Sequence, residues 1–379
     1  MPGPVRVGVI GSSGKGDYGH GLDTAFEGVE GATVVAVADD NAAGRDRVAK
    51  KLGVSRAYAD YGRMLKREKL DIVCVAPRWH NERVAMVTAA AEAGCHIYCE
   101  KPFAPTVEAA DTMAAAIRGA GITLAMAHQW RAMAPVQRLI QEMREEKHGR
   151  LLRVTARPKD DRRGGGEELP LHGTHLFDIM LAMAGPPRWV SGHVQQQGRD
   201  VVKQDRREAT EPIGPVAGDA IDAIYGFDHG VRGYFLSTAN LAVAQDRGFD
   251  NLFGLVVECE KTRIQLRAPG DAFLYAAPYV LADQEQLEWE KVWIEDWHFT
   301  PEHQPRPLRS SWIRLGNNIL ARDLVDAIQM DRSPLSGLGH AMAITEMVQG
   351  VYGSHLDQGR RLEIPLQQRT HPLLVENSK

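Results

Sequence analysis

From Val5 to about residue 128 the chain alternates short apolar runs with helix-patterned segments, and this alternation restricts its fold more than any other feature. Val5–Ile10, Ala32–Ala38, Asp71–Ala76, His96–Cys99 and Ile122–Ala127 have strand length and apolar character. Leu22–Phe26, Ala42–Leu52, Tyr61–Lys69, Glu82–Ala93 and Val107–Gly119 read as helical, with Gly53 and Gly94 just past two of them. Strands joined by helical crossovers pair in parallel, and the fixed hand of such crossovers leaves few topologies. The expected fold class is α/β, with a doubly wound parallel sheet over residues 1–128. Ligands of such sheets sit at the carboxyl ends of the strands.

Beyond residue 128 the pattern changes. Pro135–Glu146 reads as a helix and Leu151–Arg157 as a strand. Leu171–Ala184, Trp312–Ile328 and Ala341–His355 read as helices. Val190–Gln196, Ala220–Phe227, Gly230–Thr238, Leu252–Cys259 and Arg263–Arg267 read as strands with turn residues between them, the spacing of an antiparallel sheet covered by helices. Asp271–Arg309 reads as long loops. Two domains follow, 1–128 and 129–379, because 379 residues exceed one ordinary core. A net charge of −4 argues against nucleic acid or an anionic membrane as principal partner. No apolar run reaches transmembrane length and no basic-then-apolar leader opens the chain, so a cytoplasmic protein is expected. Cys74, Cys95, Cys99 and Cys259 are scattered in apolar surroundings, which suits buried thiols better than a disulfide or zinc framework.

Three segments point to chemistry. Val5–Ile10 ends at Gly11 and runs into Ser12-Ser13-Gly14-Lys15-Gly16-Asp17-Tyr18-Gly19. A dinucleotide pyrophosphate needs a tight turn, close backbone approach and a helix N-terminus facing its charge, and glycine supplies the first two. Ser13 stands where a G-x-G-x-x-G turn has its second glycine, so an ordinary glycine-rich turn is the alternative. Ala32–Ala38 ends in Asp39-Asp40. A carboxylate there accepts from a ribose 2′-hydroxyl and repels a 2′-phosphate, so NAD is expected over NADP. His96–Cys99 delivers Glu100-Lys101-Pro102 to the carboxyl end of a strand, which Pro102 halts. The Lys101–Pro102 bond is a candidate cis peptide. A lysine partly desolvated there, beside a cationic cofactor ring, has its pKa lowered toward a useful acid or base. A surface Glu–Lys pair is the plain alternative.

Together with the helical segment Gly173-Thr174-His175-Leu176-Phe177-Asp178, these features resemble the glucose-fructose oxidoreductase / inositol dehydrogenase / rhizopine-catabolism (Gfo/Idh/MocA) family in order and spacing over essentially the whole chain. The resemblance implies an N-terminal Rossmann domain and a C-terminal α/β domain with a large, open, mostly antiparallel sheet. It implies a nicotinamide cofactor, sugar or polyol substrates, and homodimers or homotetramers built through that sheet. It implies that Lys101 binds the reacting hydroxyl and His175 accepts its proton. An imidazole suits that task near neutral pH, and an ammonium stabilises the developing oxygen charge. Asp178, three residues on, orients the imidazole or binds substrate. Substrate contacts are expected from Asp178, His172, Arg163, Lys159 and Trp130. Cofactor contacts are expected from Gly11, Ser12, Ser13, Gly14, Tyr18, Gly19, Asp39, Ala76, Pro77, Trp79, Glu100, Lys101 and His128.

The chain also departs from that family. Many active members carry an aspartate four residues before the histidine, and here the position is Leu171. His172 is adjacent, but on a helix it points about 100° away. The loss leaves room for chemistry that begins and ends with bound NAD, such as glycoside cleavage through a transient keto sugar, or for a non-catalytic NAD-binding regulatory protein. Pro77-Arg78-Trp79-His80-Asn81 is bulkier than the small polar sequence expected there. Trp79 either packs on cofactor or sugar or staples a surface turn. The charged, glycine-rich loop Arg157–Glu168 is either a hydroxyl-binding loop over a rigid scaffold or a solvated charge run. His172-x-x-His175-x-x-Asp178 lacks the i, i+4 zinc spacing, so no metal is expected.

Overall fold

The computed structural model describes residues 3–241, 253–267, 271–275 and 290–375. The chain divides into two compact units. The first holds the residues up to Gln129 with Glu208–Gly214 and Ile313–Thr345, and the second holds Trp130–Arg207, Pro215–Trp312 and the residues from Glu346 on. Two segments from beyond residue 128 thus count with the first unit, which is not a single stretch of chain.

In the first unit, β1 (Val5–Ile10), β2 (Ala32–Ala38), β3 (Ala57–Tyr58), β4 (Ile72–Val75), β5 (His96–Cys99) and β6 (Leu124–Met126) form one sheet in the order β3-β2-β1-β4-β5-β6. Every pairing is parallel. The central strands are buried, which is why they read as unbroken apolar runs. Strand order reverses between β1 and β4, the place where such sheets carry ligands. The crossovers are α1 (Ala42–Leu52), α2 (Tyr61–Arg67), α3 (Arg83–Glu92) and α4 (Val107–Ala120). Asn41 caps α1 by accepting from Gly44 N, and Thr106 caps α4 by accepting from Ala109 N. Val73, Val75, Ile97, Met86, Val87, Met113 and Ile117 pack as the core between sheet and helices.

One expected helix is missing. Leu22–Phe26 contains only a 3-10 turn, Leu22–Thr24. Gly21 before it and Gly28 after it have positive φ, so the stretch between them is too short to nucleate an α-helix. The glycine turn is therefore not followed by the helix N-terminus that its sequence suggested.

Among the described residues the second unit is built on a ten-stranded sheet with spatial order 290–291, 271–275, 263–267, 254–259, 151–157, 232–238, 220–226, 189–196 and 362–363, with 199–200 beside 189–196. Pairings are antiparallel except that of 151–157 with 232–238. Alternate residues form its buried face, among them Val154, Ala156, Ile221, Ala223, Tyr225 and Phe235. The helices before and over it include α5 (Ala134–Arg144), α6 (Glu168–Leu171) and α7 (Gly173–Ala184). Phe177 of α7 meets the rings of Tyr225 and Phe235 at centroid distances of 5.4 and 5.2 Å, which seats α7 on that face.

Two expectations for this unit change. The helix read as Leu171–Ala184 breaks at His172 into α6 and α7. Asp271–Arg309, read as loops, contains strands Asp271–Tyr275 and Glu290–Lys291 and the short helix Glu295–His298. The first strand is five residues long and is fixed by pairing with Arg263–Arg267, a tertiary effect that local pattern does not carry. Residues 276–289 of that segment, and Leu252 of an expected strand, lie outside the described residues. Among the described residues no helix is long and apolar enough to cross a membrane.

Candidate functional site

In the first unit the turn after β1 folds back on itself through a bridge between Ser12 and Asp17. Its middle leans on the ends of β4 and β5. Arg78 N donates to Gly16 O at 3.1 Å, and a Cβ on Gly16 would crowd the backbone of Arg78 and Trp79. Gly19 lies against the Ala76 carbonyl and the Glu100 carboxylate, leaving no space for a side chain. The Tyr18 ring covers Gly11. Burial raises the Tyr18 phenol above its ordinary range and neighbouring Asp39 adds to this, so it stays protonated. Ser13 is a working part of the turn: its Oγ donates to Asp39 Oδ2 at 2.7 Å. Ser13 N lies 3.2 Å from both Asp39 oxygens, and Asn41 N donates to Oδ1 at 3.0 Å.

The Lys101 turn is held from several directions. Glu100 is buried, and its carboxylate accepts from His20 N at 2.8 Å and Lys101 N at 2.9 Å, with His20 Nδ1 at 3.1 Å. Burial alone would raise its pKa, but the His20 contacts and Lys101 outweigh burial and hold it at about 2. The Lys101–Pro102 bond is cis. Lys101 is itself buried. On the carbonyl side, Arg83 of α3 donates to Glu100 O, to Pro102 O at 2.8 Å and to Pro77 O at 2.5 Å. His80 Nε2 lies 2.9 Å from Pro102 O and its Nδ1 3.1 Å from Ile213 O. Two carbonyls pull His80 toward its charged form. Burial and then the Arg83 charge prevail, setting its pKa at about 3, so at neutral pH it donates from one nitrogen only. His128, expected as a cofactor contact, is buried with its Nδ1 2.8 Å from Ser336 Oγ.

In the second unit, His175 lies in the first turn of α7, and its backbone N donates to His172 O at 3.1 Å. Asp178 is buried 3.9 Å from Arg131 Nε. The His172 imidazole meets Glu168 one helical turn before it, with Nδ1 to Oε2 at 2.5 Å. Arg163 makes a two-pronged contact with Asp161, at 2.7 and 3.1 Å, and reaches Glu168 at 3.5 Å. Phe253 stacks on Trp130 at 4.6 Å, with the His172 ring edge-on at 5.2 Å and Lys159 Nζ at 5.7 Å. The charged loop is not a solvated run. Asp160, Glu167 and Glu168 are buried. Asp160 accepts from Ser237 Oγ and Thr238 N, while burial raises its pKa to about 6. Gly164, Gly165 and Gly166 lie flush on the backbone of Ala239, Asp219 and Ala217, with no space for a Cβ. Among the described residues no cluster of three His, Cys, Asp or Glu is placed to hold a metal ion. The four cysteines are buried thiols.

Residues 5–128 match the oxidoreductase family with an NAD-binding Rossmann fold. Over this part, about a third of the chain, the match agrees with the Gfo/Idh/MocA resemblance. It is 30% identical over 199 residues to a D-glucoside 3-dehydrogenase of Escherichia coli, covering 48% of this chain and 55% of that protein. It is 35% identical over 118 residues to a glycosyl hydrolase family 109 protein of Shewanella, covering 27% and 24%. The chain thus spans about half the length of the first relative and a quarter of the second. A levoglucosan dehydrogenase solved with NADH and levoglucosan has the same fold, with a TM-score of 0.74 at 20% identity over 96% of this chain and 100% of that one.

Several positioning residues carry no signal in the sequence that the motifs above use. Asn317, far along the chain, accepts from Tyr98 Oη and Gln129 Nε2 and donates to His20 O, each at 2.9 Å. It ties the glycine turn to β5, and no local pattern announces it. Arg83 carried one visible signal, a single arginine heading an otherwise apolar helix face. His80 reads only as a member of a turn, and His20, just past the glycine turn, carries no signal of its own.

Proposed function

We propose that this chain is an NAD(P)-dependent oxidoreductase that moves hydride between nicotinamide and a secondary alcohol of a sugar, glycoside or cyclitol. The observation that carries this is the Lys101 turn: a buried lysine at the end of β5, fixed through Glu100 to the glycine turn and through Arg83 to the end of β4. The residues fit a dinucleotide. The turn sits at the switch point of a parallel sheet, and Gly14, at φ 83°, has open space where a Cβ would stand. Gly11–Gly14 and the end of β2 would hold the adenosine side, and Ala76, Pro77, Glu100 and Lys101 the nicotinamide side. When bound, nicotinamide supplies the hydride acceptor.

The chain's own residues do the rest. Lys101 holds the substrate oxygen and stabilises its developing negative charge. His175 takes the hydroxyl proton. The Asp178–Arg131 pair and the Arg163, His172, Lys159 and Trp130 group bind the remaining hydroxyls and the apolar face of the ring. NAD is the favoured cofactor, and the working form is a homodimer or homotetramer.

A second reading is favoured by one feature. Leu171 is apolar, and Glu168–His172 supplies a carboxylate–imidazole pair beside it. Such a pair suits an NAD-retaining lyase or hydrolase that passes through a keto sugar.

The test is a panel of sugars and glycosides with NAD, read by NADH absorbance and by product analysis. Net NADH that disappears in Lys101→Ala supports the dehydrogenase. Product without net NADH supports the retaining enzyme. Bound dinucleotide without turnover on the whole panel points to a regulatory protein and sinks both.

A further inference from the structure

We infer that Arg78, just past β4, holds the pyrophosphate of the dinucleotide, supplying with a side-chain charge what a helix N-terminus supplies in other sheets of this kind. The inference rests on the dinucleotide reading above. A glycine turn ordinarily meets a pyrophosphate with two things, its backbone N–H groups and the N-terminus of the helix that follows. Here the helix is missing and many of the N–H groups are spent. Only the 3-10 turn Leu22–Thr24 follows. Ser12 N donates to Asp17 O at 3.1 Å, and Lys15 N and Asp17 N both donate to Ser12 O at 2.9 Å. Ser13 N is taken by Asp39, and Gly14 N by Asp17 Oδ1 at 2.9 Å. Asp17 thereby brings a negative charge to the turn. A doubly charged anion seated there needs a cation from another element.

Arg78 is placed to be that cation. A bound pyrophosphate lies between the adenosine side, at the end of β2, and the nicotinamide side, at the ends of β4 and β5. Arg78 stands at that junction, its backbone N donating to Gly16 O at 3.1 Å. Lys15 and Arg47 lie on the β2 side, Lys15 at 2.9 Å from Asp40 and Arg47 at 3.4 Å from Ser13 Oγ. Arg78 Nε is buried and has no hydrogen-bond partner among the described residues, yet 35% of the side chain is exposed. Glu211 Oε2 is 3.6 Å away, a loose ion pair rather than a hydrogen bond. Glu211 is itself held beside this turn, because the next residue, Pro212, accepts at its carbonyl from His80 N at 2.9 Å. A guanidinium steadied but not saturated by a carboxylate keeps donors for phosphate oxygens, which it can meet in pairs.

The test needs no substrate. NADH is titrated against the full chain by nicotinamide fluorescence, and ADP-ribose, which has the pyrophosphate but no nicotinamide, by calorimetry. Arg78→Met is expected to weaken both by about ten- to a hundredfold, the scale of one charge-assisted contact. Its NADH affinity is also expected to fall less steeply with added salt than that of the unmodified chain. Arg78→Lys keeps the charge and is expected to recover part of the loss. Glu211→Gln removes the neighbouring charge and leaves the guanidinium, and is expected to bind both ligands within about threefold of the unmodified chain. A loss confined to NADH would put Arg78 on the nicotinamide side and overturn the inference. So would a change below about threefold in Arg78→Met, or a loss in Glu211→Gln as large as that in Arg78→Met, the mark of a purely structural tie. Failure of the unmodified chain to bind either ligand overturns the proposed function along with it.

Discussion

Arg83 donates to the carbonyl oxygen of Pro102 at 2.8 Å, from a side chain that is 1% exposed. The same guanidinium serves the carbonyls of Glu100 and Pro77, so one buried cation joins the ends of β4 and β5. Losing it leaves three buried oxygens short of a donor. Arg83→Met is therefore expected to lower the unfolding free energy by about 2–4 kcal/mol in a urea titration. A loss under about 0.5 kcal/mol would show that other donors replace the guanidinium.

Lys101 is the chemical payload of that turn. Lys101→Met keeps the length and apolar stem of the side chain and removes the ammonium. Turnover is expected to fall by about a hundredfold or more, the scale of losing one stabiliser of oxygen charge. NADH affinity is expected to fall far less than turnover, because Glu100, His20 and Arg83 still hold the turn. Turnover within tenfold of the unmodified chain would remove Lys101 from the chemistry.

Five of the six strands of the parallel sheet are legible as short apolar runs, and each crossover helix has its own cap or stop; β3, two residues paired with the end of β2, is too short to carry a pattern. Asn41, Gly53 and Thr106 are local signals, and the structure uses them locally. The glycine turn was legible as a turn but misread beyond it: helical pattern at Leu22–Phe26 was overridden by the glycines on either side. At the strand ends, residue types were visible and their partners were not. Asp39 reads as a strand-end acid, while its bonds from Ser13 and Asn41 are visible only in the structure. Glu168 reads only as one member of a charged loop, because the helix that brings it one turn from His172 begins earlier than its pattern suggests. Asn317 lies about 200 residues from Tyr98 and Gln129, the separation at which local patterning carries no information.

His80 makes stability depend on pH. Its folded pKa of about 3 lies below the ordinary 6.5, so the unfolded chain takes up the proton first. Its contribution is complete above pH 6.5 and shrinks as pH falls from there toward 3, by up to about 1.4 kcal/mol per pH unit. Glu100 acts lower: with a folded value of about 2 against 4.5, its contribution is complete above 4.5 and is lost as pH falls toward 2. Urea unfolding between pH 7.5 and 5 is therefore expected to show a steeper decline for the unmodified chain than for His80→Gln. Parallel declines would place the titrating group elsewhere.

The working assembly can be tested on the large sheet. On strands 220–226 and 232–238, Ala223, Tyr225 and Phe235 face the buried side, so Ile224, Tyr234 and Leu236 face the other. Ile224 is paired with Tyr234 and is 38% exposed, beside half-buried Leu236. These three side chains stand among polar ones, with Asp222 opposite Leu236 and Ser191 and Thr155 flanking the Ile224–Tyr234 pair, the mixed character of a face that a second copy of the chain would cover. Light scattering behind a sizing column is expected to give a dimer or tetramer for the unmodified chain. Ile224→Asp combined with Leu236→Asp is expected to give a monomer with an unchanged circular dichroism spectrum, because neither residue belongs to the buried face. A monomeric unmodified chain, or a double variant that keeps its assembly, would locate the contact on another surface or remove it.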